Sequence, residues 1–181
     1  YLLFITELYL KHENPFRNLG FTLLGIFYVA VPFSMLNYFV FHKGFYDYQI
    51  LLGFFFILWA NDTGAYLVGS RIGKNKMFER VSPGKTWEGT IGGGILGLLV
   101  AYLISIYFTD LRTVEWLIIA VLLIVIGTVG DLVQSIYKRS KNIKDSGSIL
   151  PGHGGILDRF DSLLLATPFV FTYLFILRYL H

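Results

Sequence analysis

Five long apolar stretches alternate with short polar segments along the chain. Each stretch has the ~20 apolar residues that a helix needs to cross the hydrocarbon core of a bilayer. The pattern predicts an all-α fold, a polytopic transmembrane helix bundle whose short loops carry the functional site. The predicted spans are residues 19–41, 49–68, 89–108, 115–137 and 160–180.

The first ten residues are apolar but too short to cross a bilayer. They lack the basic region and cleavage site of a secretory signal peptide. We interpret them as the tail of an earlier span, and we expect further spans before Tyr1. Residues 1–181 are interpreted as a single transmembrane domain that is incomplete at its N-terminus.

The composition agrees with a membrane protein. Hydrophobic residues make up 55% of the chain and charged residues 15%, against about 25% charged in soluble domains. The chain has no cysteine, which excludes disulfides, thiolate metal sites and cysteine nucleophiles. We attribute the net charge of +3 to basic loops at one membrane face, so nucleic acid is not an expected partner.

Basic residues predict the orientation of the spans. Twelve of the 15 Lys and Arg residues fall before the first span, after the second and after the fourth. The remaining three are Lys43, Arg112 and Arg178. Because basic loops favour the cytoplasm, the three rich segments are predicted to be cytoplasmic and His181 to lie outside.

Polar residues interrupt three spans near their predicted cytoplasmic ends, where ionisable groups are costly and usually functional. They are Asn61 and Asp62; Asp131, Gln134, Ser135 and Lys138; and Asp158, Asp161 and Ser162. The second set recurs at helical spacing, so it forms one stripe that we expect to face the bundle interior. The three sets are predicted to converge at one depth.

Structural interpretations of these residues stay open. Asp131 could belong to a buried polar network that only joins helices. Asp158 or Asp161 could favour a helix dipole, an effect of about 0.3–1 kcal/mol. Two carboxylates that flank an Arg beside His-Gly-Gly are harder to explain in this way.

The densest polar segment runs from Ser135 to Asp161, between two predicted spans. It holds Lys138, Arg139, Lys141, Lys144, Asp145, His153, Asp158, Arg159 and Asp161. Cations bind phosphate oxygens, and carboxylates can hold a divalent metal between those oxygens. Glycines 152, 154 and 155 would let backbone N–H groups approach an anion. The segment indicates phosphoryl chemistry on a membrane-resident substrate.

Three other motifs favour structural roles. Gly84-Lys85-Thr86 is not the end of a P-loop, because the first glycine of that motif would fall at Glu79. Ser82 before Pro83 is typical of a helix N-cap, with substrate contact as the alternative. A small-residue face that favours close helix packing is formed by Gly89, Gly92, Gly93, Gly94 and Gly97.

The spacing S-x-x-K-R-x4-K-D-x-G-x2-L-P-G-H-G-G-x2-D-R-x-D, from Ser135 to Asp161, resembles the signature of phosphatidate cytidylyltransferases. The stretches WANDTGAYLVGSRIGK, from Trp59, and SPGKTWEG, from Ser82, are also similar to that family. The resemblance covers roughly Trp59 to the end. It implies transfer of CMP from CTP to phosphatidate, with release of pyrophosphate.

The resemblance also implies roles for individual residues. Catalytic roles fall to Lys138, Arg139, Lys144, Asp145, His153 and Arg159. Substrate contacts fall to Asn61, Ser82, Lys85, Thr86, Gly154 and Gly155. Ligation of Mg²⁺, and of a second cation if there is one, falls to Asp131, Asp158, Asp161 and Asp62. We expect the carboxylates of Asp131 and Asp158 to approach within roughly 4–7 Å, because shared metals bridge such distances.

The expected partners are CTP, phosphatidate and the lipid bilayer, with a homodimer as a further candidate. The bacterial style of the motif suggests the plasma membrane, with the site on the cytoplasmic side. Three alternatives stay open: a CTP-dependent lipid kinase, an ion- or proton-coupled transporter, and a non-catalytic scaffold, which would not require such clustered carboxylates. The almost purely apolar outer halves of the spans count against the transporter.

Overall fold

The computed structural model describes residues 1–10, 13–41, 44–143, 146–147, 155 and 157–180. Within these ranges the chain is almost entirely helical. The helices are α1 (Leu2–Tyr9), α2 (Pro15–Gly25), α3 (Val31–Phe41), α4 (Gln49–Ile72), α5 (Trp87–Tyr107), α6 (Thr113–Ser140) and α7 (Asp161–Leu180). A π-helical segment, Ile26–Ala30, joins α2 to α3, and a 3₁₀ turn, Leu157–Arg159, precedes α7.

Five helical segments in the described ranges are long and apolar enough to cross a membrane. They are Pro15–Phe41, Gln49–Ile72, Trp87–Tyr107, Thr113–Ser140 and Asp161–Tyr179. The prediction of an all-α polytopic bundle is therefore confirmed. Helices α4 and α6 extend beyond their predicted ends, with Arg71, Lys138 and Arg139 in their last turns. Cations are favourable there because the helix dipole is negative at its C-terminus.

A β-hairpin that the sequence did not predict connects α4 to α5. Strands β1 (Lys76–Phe78) and β2 (Ser82–Thr86) pair in antiparallel fashion. The prediction of Ser82 as a helix N-cap is wrong, because pairing with β1 keeps the backbone extended as far as Thr86. Thr86 is the N-cap instead, since its hydroxyl accepts the Gly89 N–H at 3.1 Å.

The predicted small-residue face of α5 packs against α4 at backbone distance, as expected. A Cβ atom added at Gly93 would lie 2.5 Å from the Asn61 carbonyl oxygen. One added at Gly89 would lie 2.8 Å from the Ala65 carbonyl oxygen. Helices in lipid associate by such packing because the bilayer supplies no hydrophobic drive between them. The close contact fixes α4, and with it Asn61, against α5.

We expect Gly93→Ala to destabilise the bundle by about 1–3 kcal/mol, the usual cost of overpacking, because a backbone atom must move. Gly20→Ala on α2 is the matched control, since nothing lies within 4 Å of its added Cβ. That change should be neutral or stabilising, because Ala favours helix. Thermal unfolding in detergent measures both. Equal changes in the unfolding temperature at Gly93 and Gly20 would contradict the close packing of α5 against α4.

Candidate active site

Asp62 on α4 and Asp131 on α6 lie inside these helices and not at their ends. Helix α4 continues for ten residues after Asp62 and ends at Ile72. Helix α6 continues for nine residues after Asp131 and ends at Ser140. At 1.5 Å per residue, both carboxylates are about 15 Å from the ends of their helices. The sequence predicted that they lie at the helix ends, because the apolar runs were read as shorter. Asp161, by contrast, is the first residue of α7, as the sequence predicted.

An ion pair joins the hairpin to α6 at the centre of the site. The ammonium of Lys85, on β2, contacts the carboxylate of Asp131 and also donates to the Thr128 carbonyl oxygen at 3.4 Å. The hydroxyl of Ser135 lies 3.5 Å from the other Asp131 oxygen. Asp62 lies within electrostatic range of both members of the pair. The stripe on α6 thus faces the interior, as predicted, and Lys85 reaches it from a separate element.

A second ion pair anchors the loop between α6 and α7. Lys138 Nζ lies 2.8 Å from Asp158 Oδ1, and the two side chains are only 14% and 10% exposed. Asp158 Oδ2 accepts the backbone N–H groups of Ser146 at 2.8 Å and Gly155 at 3.0 Å. Burial raises the pKa of Asp158, but the hydrogen bonds outweigh it and lower that pKa to about 2. Asp158 is thus ionised and has contacts on both carboxylate oxygens.

Asp161 is the carboxylate that lies beside Asp131. Helices α6 and α7 approach closely at Gly130, where an added Cβ would lie 2.9 Å from the Asp161 carbonyl oxygen. The two carboxylates are within hydrogen-bonding and electrostatic range of each other. One Asp161 oxygen accepts the Ser162 N–H at 2.8 Å. No contact joins Asp131 to Asp158 among the described residues, so the expected pairing of those two carboxylates stays a prediction.

The site residues fit a divalent cation by their chemistry. Two adjacent carboxylates repel each other, and a cation between them removes that repulsion. Carboxylate oxygens are also the donors that Mg²⁺ prefers. Asp131 and Asp161 meet this description, with Asp62 within electrostatic range of Asp131. In the part of the chain that the structure describes, no group of three His, Cys, Asp or Glu residues forms a preassembled metal site.

A cavity of about 270 Å³ opens beside the Lys85–Asp131 pair. It is lined by Asn61, Asp62, Ala65, Tyr66, Gly84, Lys85, Thr86, Gly89, Thr90, Thr128, Asp131 and Ser162. Asn61 is 6% exposed, and its side-chain oxygen has no hydrogen-bond partner among the described residues. A buried acceptor without a partner is costly, so a ligand that donates a hydrogen bond there would be favoured.

A second cavity, of about 390 Å³, lies between the hairpin and α6. It is lined by Val81, Ser82, Pro83, Gly84, Ser135, Lys138 and Arg139. The Arg139 side chain donates to the Val81 carbonyl oxygen at 3.5 Å, which ties the hairpin to the end of α6. Gly84 lines both cavities, so the two spaces are neighbours.

Of the twelve predicted site residues that the structure describes, eight line the two neighbouring cavities and four line neither. Arg159 is exposed on the turn before α7 and lines neither cavity. Gly155 and Thr86 make structural contacts, Gly155 with Asp158 and Thr86 as the cap of α5. Lys144, Asp145, His153 and Gly154 lie outside the described residues.

Two residues that line the first cavity, Thr90 and Thr128, were missed as candidates, whereas Ser162 was identified as a polar residue but given no role. Thr128 could have been found by extending the α6 stripe one turn back from Asp131, because residues three apart share a helix face. Thr90 lies one turn after Thr86, to whose carbonyl oxygen its hydroxyl donates at 3.1 Å. No sequence pattern marked Thr90, since its place depends on the position of α5.

Comparison with known proteins extends the resemblance over nearly the whole chain. Phosphatidate cytidylyltransferase of Staphylococcus aureus strain COL is 43% identical over 160 residues, which cover 87% of this chain and 60% of that protein. The protein of the same name from Bacillus subtilis strain 168 is 38% identical over 173 residues, 94% of this chain and 63% of that protein. The chain therefore spans about 60% of the length of these relatives.

A family model gives the broader assignment. The model described as the cytidylyltransferase family matches residues 1–177. That match begins well before Trp59, where the sequence resemblance was first evident. It includes the spans, the hairpin and the segment that carries Asp158 and Asp161. The chain belongs to the cytidylyltransferase family.

Proposed function

We propose that this chain carries the site at which CMP is transferred from CTP to phosphatidate, giving CDP-diacylglycerol and pyrophosphate. The observation that carries the proposal is the partly buried Lys85–Asp131 pair, which lies next to Asp161 and beside a polar cavity. Such a cavity suits a phosphate group that is attached to a lipid. The names of the relatives from Staphylococcus aureus and Bacillus subtilis support the same reaction.

The reaction suits a site that has no serine or cysteine nucleophile. A phosphate oxygen of phosphatidate attacks the α-phosphorus of CTP, and the bond from that phosphorus to the β-phosphate oxygen breaks. The attacking oxygen is already ionised, so no base has to remove a proton. The barrier comes mainly from repulsion between anions and from charge that develops on the leaving pyrophosphate. The protein's task is to position the phosphates and to offset their charge.

The cations and carboxylates divide this task. Lys85 borders the first cavity, and Lys138 and Arg139 border the second, where they can attract phosphate oxygens. Asp131 and Asp161 would hold Mg²⁺, with Asp62 nearby. A divalent ion held there would supply positive charge that offsets the charge developing on the leaving pyrophosphate. Asp158 keeps Lys138 and the loop backbone in place through the contacts of its two oxygens.

We further propose that the site opens to the cytoplasmic face of the plasma membrane. The basic residues that follow α4 and α6 support this orientation, because basic loops favour that face. Phosphatidate then enters sideways from the bilayer, while CTP arrives from the cytoplasm. A homodimer is compatible with this arrangement, and nucleic acid has no part in it.

The reaction type can be tested with CTP labelled in the α-phosphate. Protein that contains this chain in its full-length context should transfer the label to phosphatidate, and the product should be a nucleotide-linked lipid. Lipid that gains label only from γ-labelled CTP would identify a CTP-dependent lipid kinase. Absence of labelled lipid from either substrate would contradict both activities. Thin-layer chromatography of the extracted lipid separates these results.

Replacement of Asp131 by Asn tests its role in catalysis. The amide keeps the size of the side chain but loses the charge that faces Lys85 and the proposed Mg²⁺. Synthesis should fall by roughly a hundredfold or more, since each 1.36 kcal/mol of lost stabilisation is tenfold in rate. Thermal stability should fall only modestly, because the Lys85–Asp131 ion pair that the change removes is partly exposed, and partly exposed pairs contribute little.

Asp110→Asn provides a control, because Asp110 lies between α5 and α6, far along the chain from the site end of either helix. The Asp110→Asn protein should synthesise CDP-diacylglycerol at a near-normal rate. If Asp131→Asn instead loses activity only in proportion to unfolded protein, Asp131 serves to join helices and the catalytic role is wrong.

Single cysteines test the orientation, because the chain has none of its own. Ser140→Cys lies at the end of α6 that the proposal places in the cytoplasm, and Thr109→Cys lies in the loop at the opposite end. Both positions are exposed. A membrane-impermeant maleimide applied to intact cells should label Thr109→Cys alone, and lysis should expose Ser140→Cys. The reverse pattern would overturn the cytoplasmic assignment.

A further inference from the structure

A π-helical segment interrupts the first span beside the start of α7. Residues Ile26–Ala30 form this segment, and it packs against α7. Just after it, Phe33 packs edge-on against Phe160, with ring centroids 5.3 Å apart. Phe160 immediately precedes Asp161, so the π-helical segment lies at the level of the carboxylates. Single π-helical turns within α-helices occur frequently at functional sites.

Tyr28 is the central residue of the π-helical segment. Its hydroxyl oxygen is buried and has no hydrogen-bond partner among the described residues. The same hydroxyl lies within electrostatic range of the Asp161 carboxylate on α7. A buried Tyr hydroxyl normally finds a partner, because leaving it without one costs free energy. The packing therefore places a neutral donor within electrostatic range of Asp161.

Asp161 has weaker charge compensation than Asp131, because Lys138 acts on it only at a distance. Lys85 pairs with Asp131, whereas no Lys or Arg forms an ion pair with Asp161 among the described residues. Its hydrogen bonds there come from the backbone N–H and hydroxyl of Ser162, at 2.8 and 3.4 Å, both to the same oxygen. The adjacent Asp131 carboxylate disfavours its charge. A further donor would stabilise Asp161 as an ionised ligand.

We propose that Tyr28 is a positioning residue whose hydroxyl donates a hydrogen bond to Asp161 when Asp131 and Asp161 hold a divalent cation. This inference rests on the proposed function, because it assigns those two carboxylates to the cation. Carboxylates that bind metals are commonly held by such hydrogen bonds, and loss of the donor typically costs 10–100-fold in metal affinity. Tyr28 thus links the first span to the site.

The test is direct binding of Mn²⁺, without CTP or lipid, to purified full-length protein that contains this chain. The electron paramagnetic resonance signal of free Mn²⁺ gives the dissociation constant. Tyr28→Phe should raise that constant about 10–100-fold. The Mg²⁺ concentration for half-maximal synthesis should rise in parallel, and the rate at saturating Mg²⁺ should fall less.

Tyr38→Phe is the matched control. Tyr38 belongs to the same span and packs edge-on against Phe171, with ring centroids 5.0 Å apart, away from the carboxylates. The Tyr38→Phe protein should bind Mn²⁺ with the same dissociation constant as the unchanged protein. Without metal, Tyr28→Phe should unfold at the same temperature or higher, because Phe removes a buried hydroxyl without a partner.

The outcomes separate this inference from the proposed function. If Tyr28→Phe binds Mn²⁺ as tightly as the unchanged protein, the positioning role is wrong and the proposed transfer reaction stands. A lower unfolding temperature with unchanged Mn²⁺ affinity would show a purely structural role and would also overturn the inference. If the unchanged protein binds no Mn²⁺ and needs no divalent cation for synthesis, the metal assignment fails, and the role of Tyr28 fails with it.

Discussion

Ionised carboxylates inside an apolar helix bundle need compensating charge or hydrogen bonds, and the centre of this protein is organised around that requirement. Lys85 forms an ion pair with Asp131, and Lys138 forms one with Asp158. The first pair fastens the β-hairpin to α6, and the second fastens the loop between α6 and α7. Glycine contacts between α4 and α5 bring the backbones close enough to hold this arrangement. Asp161 has the least compensation of the three.

This unequal compensation suits the phosphoryl transfer that we propose. Asp158 has contacts on both oxygens, so it suits the task of holding the loop. Asp131 and Asp161 lie side by side, and their repulsion favours a cation between them. Because Lys85 and Asp131 are partly buried, electrostatic attraction there is screened less than it would be between fully exposed groups.

Much of this arrangement follows from the sequence, and the rest depends on tertiary contacts. The spans could be predicted because length and hydropathy determine membrane crossing, and the α6 stripe because helical spacing places Asp131 and Lys138 on one face. The hairpin could not be predicted, because its strands are only three and five residues long and are stabilised by pairing with each other. Nothing local identifies Lys85 as the partner of Asp131, or Asp161 as its neighbour. The π-helical segment at Tyr28 has no sequence signature either.

The most direct test of the central claim is the position of a bound metal. Crystals of the full-length protein grown with Mn²⁺ and CTP would show the ion by its anomalous scattering. The account predicts a peak about 2.0–2.6 Å from carboxylate oxygens of both Asp131 and Asp161, inside the cavity beside Lys85. A peak bound by Asp158 without Asp161, or one outside that cavity, would contradict it.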